Sequence, residues 1–160
     1  IVITDGYEGG KAVVEYFRGL LLTLKGTSSE AMSVSVKWDG APAVVCGTNP
    51  DNGRFFVGTK SVFSKTPKIN YTKKDIATNH GTDELGQKLL KCLVHLKKLN
   101  IQGVVQGDLL YTDEDITRKN IDGKPHLTFT PNTITYAVPE DGELAKQIDR
   151  AKLGIIFHTT

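Results

Sequence analysis

The 160 residues suit one folded domain with a core of its own, and 39% hydrophobic with 24% charged residues is the make-up of an ordinary globular protein. A net charge of only +2 excludes the strong overall field of a chain that holds nucleic acid by bulk charge alone, and no run approaches the length of a transmembrane helix. Cys46 and Cys92 stand far apart without metal-ligand spacing, which suggests buried thiols in a reducing compartment.

Val13, Val14, Phe17, Leu20, Leu21 and Leu24 recur at helical spacing, with Gly26 as a natural stop. Gly6, Gly9, Gly10 and Lys11 precede that helix. They fall one residue short of a phosphate loop, and Ala12 stands where Ser or Thr is needed. Met32-Ser33-Val34-Ser35-Val36-Lys37-Trp38 alternates as a strand, and Asp39-Gly40 follows. A lysine on a strand, a carboxylate two residues on and then a glycine suit phosphate chemistry. The same four residues also suit a solvated strand end and an Asp-Gly turn.

Ala41 to Cys46 is a second apolar run. Asn49-Pro50-Asp51-Asn52-Gly53 is a turn signal, and Arg54 to Lys60 returns, so residues 32–60 are expected to form antiparallel strands. Thr72 and Asp75 fit a capping box for a short helix. Leu85, Leu89, Cys92, Leu93, Leu96 and Leu99 mark a long amphipathic helix ending near Asn100. Gly103 to Tyr111 is a buried strand with Asp108 inside it. Ile121 to Lys124 is a turn, Leu127 to Thr130 and Ile134 to Val138 are strands, and Pro139-Glu140-Asp141 opens a short helix. Gly154 to His158 closes the series. The pattern predicts an α+β fold with largely antiparallel sheets and flanking helices.

Several residues carry potential chemistry, each with a plainer reading beside it. Asp108 is costly in an apolar strand unless it is paired or binds something polar; it could equally cap a neighbouring turn. Tyr136 could stack on a base or belong to the sheet core. Gly58 to Lys74 holds Lys60, Lys65, Lys68, Lys73 and Lys74 without an acid, with Phe63 and Tyr71 interleaved. That stretch is either a backbone-tracking nucleic-acid surface or a solvated lysine-rich loop. The four histidines share no metal spacing, and His158, after the last strand, could enter a pocket.

The order of these motifs resembles the covalent nucleotidyltransferase superfamily, the ATP-dependent DNA and RNA ligases and messenger-RNA capping enzymes. Lys37-Trp38-Asp39-Gly40 matches its K-x-D-G strand. Lys60 in Gly58-Thr59-Lys60-Ser61 looks like its short basic motif, with Lys where Arg is usual. Asp108 in Gln106-Gly107-Asp108-Leu109 looks like its acidic strand, with Asp for Glu. Ile134-Thr135-Tyr136-Ala137-Val138 is similar to its aromatic strand. Leu153-Gly154-Ile155-Ile156-Phe157 falls at its Glu-Gly-apolar strand with Leu153 for the glutamate, and its Lys-x-Lys motif is absent. The whole chain also resembles an uncharacterised family of tailed-phage proteins with the same K-W-D-G-A-P stretch.

The resemblance implies one ligase-type nucleotidyltransferase domain (ATP-grasp-like) over residues 1–160, as a piece of a longer chain. It implies ATP, or GTP, with Mg²⁺, and a covalent lysyl-AMP at Lys37. Asp39, Gly40, Lys60, Asp108 and Tyr136 would bind the nucleotide, and Lys65, Lys68 and Lys73 would contact DNA or RNA. No membrane partner is expected. The expected location is cytoplasmic, the host cytoplasm if the source is viral. The alternative is a non-catalytic phage protein that binds nucleotide or nucleic acid on the same fold.

Overall fold

The computed structural model describes residues 4–27 and 40–159, with the side chain of Thr159 left aside. The chain divides into two compact units, residues 1–37 and 38–160.

In the first unit, α1 runs from Gly6 to Leu24. It begins earlier than expected, because Gly6, Gly9, Gly10 and Lys11 lie inside the helix and not ahead of it. The first N–H groups of a helix need no internal partner, so a well-nucleated apolar run from Ala12 onward can extend back through glycines at modest cost. Gly9 N–H donates to the Asp5 carbonyl at 3.2 Å as part of that extension. Gly26 stops the helix with a positive φ of 69°, as anticipated. The alternating segment Met32 to Trp38 lies outside the described residues.

The second unit is α+β, with two antiparallel sheets. Its four-stranded sheet has β1 (Ala43–Thr48), β2 (Phe55–Gly58), β3 (Val104–Thr112) and β7 (Leu153–Thr159) in the order β2-β1-β3-β7. The three-stranded sheet has β4 (Thr117–Ile121), β5 (Lys124–Phe129) and β6 (Tyr136–Pro139), paired in chain order. The turn signal at residues 49–53 closes β1 onto β2, with Gly53 N–H donating to the Asn49 carbonyl at 2.8 Å. Asp122 and Gly123, both at positive φ, make the two-residue turn between β4 and β5.

Helix α2 (Lys73–His80) opens with the expected capping box. The Thr72 side chain accepts from Asp75 N–H, and the Asp75 carboxylate accepts from Thr72 N–H. Burial raises the Asp75 pKa, but hydrogen bonds from Tyr71 and Thr72 outweigh it and hold the carboxyl below its ordinary value. Helix α3 (Glu84–Leu96) continues into a 3-10 turn, Lys97–Leu99, and stops at Asn100 in the left-handed conformation. Helix α4 (Glu143–Arg150) precedes β7.

Alternation along the strands divides the four-stranded sheet into two faces. Val44, Cys46, Val57 and Leu109 pack on one face against Ile76 of α2 and Leu89, Cys92, Leu93 and Leu96 of α3. Burial pushes the thiols up, to about 11 for Cys46 and about 12 for Cys92, which also feels Cys46. They behave as core residues. A second core gathers Leu127 and Phe129 of β5, Val138 of β6, and Ala145 and Ile148 of α4 around Leu110 and Tyr111. Strand β3 therefore serves both cores. A register shift between Leu109 and Tyr111 in the β3–β7 ladder lets it do so.

The cores are joined by ion pairs at the end of β3. Lys91 pairs with Asp113 and with Glu114 at 2.9 Å, Lys88 pairs with Asp115 at 3.3 Å, and Lys152 reaches Asp113 at 3.0 Å. No helix among the described residues is long and apolar enough to cross a membrane.

Candidate functional site

Strand register brings distant motif positions into one row. Ala43 of β1 is the Cα partner of Asp108 in β3, and Asp108 is the partner of Ile156 in β7. On the other side, Val45 is opposite Gly58. The pairing ends there, and Lys60, two residues on, opens the 3-10 helix that follows β2. Residues 43, 108 and 156 converge although more than a hundred positions separate the first and last.

Side chains directly opposite one another share a face. Leu109 belongs to the core beneath α3, so its neighbour Asp108 faces away from the helices. There its Oδ1 lies 3.5 Å from Nε2 of His158, two residues beyond Ile156. The Asp108 side chain is 18% exposed and that of His158 is 40% exposed, so the pair is open to a solute. Burial with a partner is what allows a carboxylate inside this strand.

Gly40 is placed by packing. A Cβ there would come within 2.5 Å of the Leu109 carbonyl oxygen and 3.1 Å of Leu110 Cδ2. Glycine at this point lets the chain lie against β3, and the Leu109 N–H donates to the Pro42 carbonyl at 3.0 Å to fix the approach. Lys37 and Asp39, the other two chemical residues of that motif, lie outside the described residues.

The basic segment after β2 is an ordered loop. Thr59 caps a 3-10 helix, Lys60–Phe63. Ser64 Oγ donates to the Ser61 carbonyl at 2.8 Å and to the Thr66 carbonyl at 2.6 Å. Asn70, fully buried, donates from Nδ2 to the Val57 carbonyl and accepts from Asn79 Nδ2, both at 2.9 Å. Tyr71 Oη accepts from Asn49 at 2.6 Å and Asn52 at 3.0 Å, while Arg54 sits 4.4 Å above the ring. Tyr71 and Lys68 therefore hold structure. Lys68 Nζ donates to the Asn79 carbonyl at 3.1 Å, near the end of α2. Lys60, Lys65, Lys73 and Lys74 are exposed.

Tyr136 lies in the other sheet. Its ring stacks on Phe129 at 5.5 Å between centroids, and Phe129 meets Tyr111 at 4.7 Å, which makes it a partly buried member of the second core. Leu153, where the ligase resemblance would set a glutamate, packs against the first core with Ile155.

Among the described residues no group of three or more His, Cys, Asp or Glu could cage a metal ion.

Sequence reasoning found Asp108 by residue type but not what sets it level with Ala43 and Ile156, which is strand register. It also missed Asn70 as the bolt of the basic loop. An Asn inside a lysine-rich stretch gives no signal until its burial is known.

Fold and site together define an α+β domain with an acid–histidine pair on one sheet face and an ordered basic loop at the end of the edge strand β2. The family description "Family of unknown function (DUF6267)" matches residues 1–160, and the chain belongs to that family. No curated protein and no solved structure matches the chain.

Proposed function

We propose that this chain is a nucleotidyltransferase domain of the ligase type, which transfers AMP from ATP onto Lys37. The observation that supports the reading is the row of Ala43, Asp108 and Ile156 across β1, β3 and β7. It sets the acidic strand of the ligase resemblance beside its closing strand, with Gly40 of K-W-D-G packed on the same β3.

Lys37 stands three residues before Gly40 in the sequence. Its amine attacks the α-phosphorus of ATP. A P–N bond forms, the bond to the bridging oxygen breaks, and pyrophosphate leaves. The amine must first lose a proton, so the pocket has to favour the neutral form. Lys60 offsets phosphate charge, and Asp108 accepts hydrogen bonds from the ribose or holds a metal-bound water. Mg²⁺, when bound with the nucleotide, neutralises the triphosphate. GTP in place of ATP would follow the same course. The acceptor of the AMP is a DNA or RNA end.

The test is incubation with radiolabelled ATP or GTP and Mg²⁺, followed by denaturing electrophoresis. Label that survives denaturation, is released by acid and is missing from Lys37→Ala supports the reading. No label with either nucleotide refutes transfer by this chain.

A second reading, nucleotide binding without transfer, is favoured by Leu153. Leu153 packs against the first core, where the ligase motif has a glutamate. ATP binding by equilibrium dialysis without covalent label would select it.

A further inference from the structure

We infer that Phe63 is a stacking platform for a base of single-stranded nucleic acid, beside Lys60, on the loop after β2. The inference rests on the proposed reading only for the purpose the strand serves; the surface is argued from its own geometry.

Phe63 is 71% exposed, at the last position of the 3-10 helix Lys60–Phe63. One exposed ring is ordinary by itself, so the argument rests on what surrounds it. In a 3-10 helix, side chains three residues apart eclipse, so Lys60 and Phe63 line one edge of this turn. Val62, between them, points the other way. It packs over Gly58, where any side chain would collide with it. Val62 thus anchors the turn to β2 and leaves the aromatic ring and the ammonium outward.

The loop is pre-set. The Ser61, Ser64 and Thr66 hydrogen bonds close it, and Lys68 N–H donates to the Ser61 carbonyl at 3.3 Å. A surface already ordered loses little entropy on binding. Charge supplies the rest of the argument for the occupant. From Gly58 to Lys74 there is no acid, and Lys60 and Lys65 flank Phe63 in sequence, both exposed. An aromatic ring between solvated cations matches a polyanion whose bases are free to stack. A duplex keeps its bases stacked on one another and offers this ring nothing.

The test is fluorescence anisotropy with the full chain and a labelled single-stranded dT 12-mer or rU 12-mer. The same length of duplex is the competitor. The single strand should bind better than the duplex. Phe63→Ala should weaken it about tenfold or more, the usual effect of losing one base–aromatic stack, and Phe63→Trp should restore it. Lys60→Ala should weaken binding and flatten its dependence on salt. Thermal melting of Phe63→Ala should match the parent, because the ring is exposed. The inference is overturned if the single strand does not bind, if the duplex binds as well, or if Phe63→Ala binds normally. Lys37 labelling is read separately. Label without strand binding defeats this inference alone, and strand binding without label defeats only the transfer reading.

Discussion

Asn70→Ala tests whether the basic loop is bolted to the sheet as described. The substitution removes a hydrogen bond from Asn70 Nδ2 to the Val57 carbonyl and another from Asn79 Nδ2 to Asn70 Oδ1, both 2.9 Å long and the first fully buried. Val57 O keeps the Asn70 backbone N–H at 3.1 Å, so its loss is partial. The Asn79 amide loses its acceptor in a half-buried setting. Two hydrogen bonds at about 1 kcal/mol net each, with up to about 1 kcal/mol for the stranded amide, give roughly 2–3 kcal/mol. For a chain of this length that lowers Tm by about 5–10 °C. Urea unfolding followed by circular dichroism measures it. Asn79→Ala alone should cost about 1–2 kcal/mol, because it leaves Asn70 Oδ1 buried without that donor. The double variant should cost less than the sum by about 1 kcal/mol, since both remove the same bond. A loss under about 0.5 kcal/mol for Asn70→Ala, or strict additivity of the pair, would refute the reasoning.

Two further outcomes follow from the packing and charges of the second unit. Gly40→Val forces a branched side chain against the Leu109 carbonyl, and should destabilise the protein by about 1–3 kcal/mol in urea unfolding even with no nucleotide present. An unchanged midpoint would mean that Gly40 is not required by packing. Hydrogen bonds from Lys91 and Lys152 hold the Asp113 carboxyl down at about 2. Its folded value lies below the ordinary value near 4, so its stabilisation is complete above about pH 4 and is lost as pH falls through about 2. Asp113→Asn should flatten the stability profile in that window, and an unaltered slope would remove Asp113 from the account.

The parts legible in sequence were those whose signal is local. Thr72 and Asp75 declared α2 because a capping box is complete within four residues. The leucines of α3 and the stop at Asn100 followed helical period. Strand β4 was missed because Thr117 to Ile121 is exposed throughout and lacks an apolar alternation; it forms by pairing with β5 across the Asp122-Gly123 turn. The start of α1 was missed because glycines signal loops on average, while a strong downstream helix overrides them. At the site, Asp108 stood out as an acid among apolar residues. Its approach to His158 did not, since it depends on two register shifts in the β3–β7 ladder fifty residues along the chain. The division of the lysine-rich stretch into bolted residues, Lys68 and Tyr71, and displayed ones, Lys60 and Phe63, needed the loop's hydrogen bonds.

Strand β3 has a consequence for how residues 38–160 come apart. Leu109 is committed to one core while Leu110 and Tyr111 are committed to the other, within three consecutive residues. Neither core can melt without pulling the shared strand out of its partner. The unit should therefore lack a half-unfolded species. The amides of β3 should be the last to exchange with deuterium, at the rate set by opening of the whole unit.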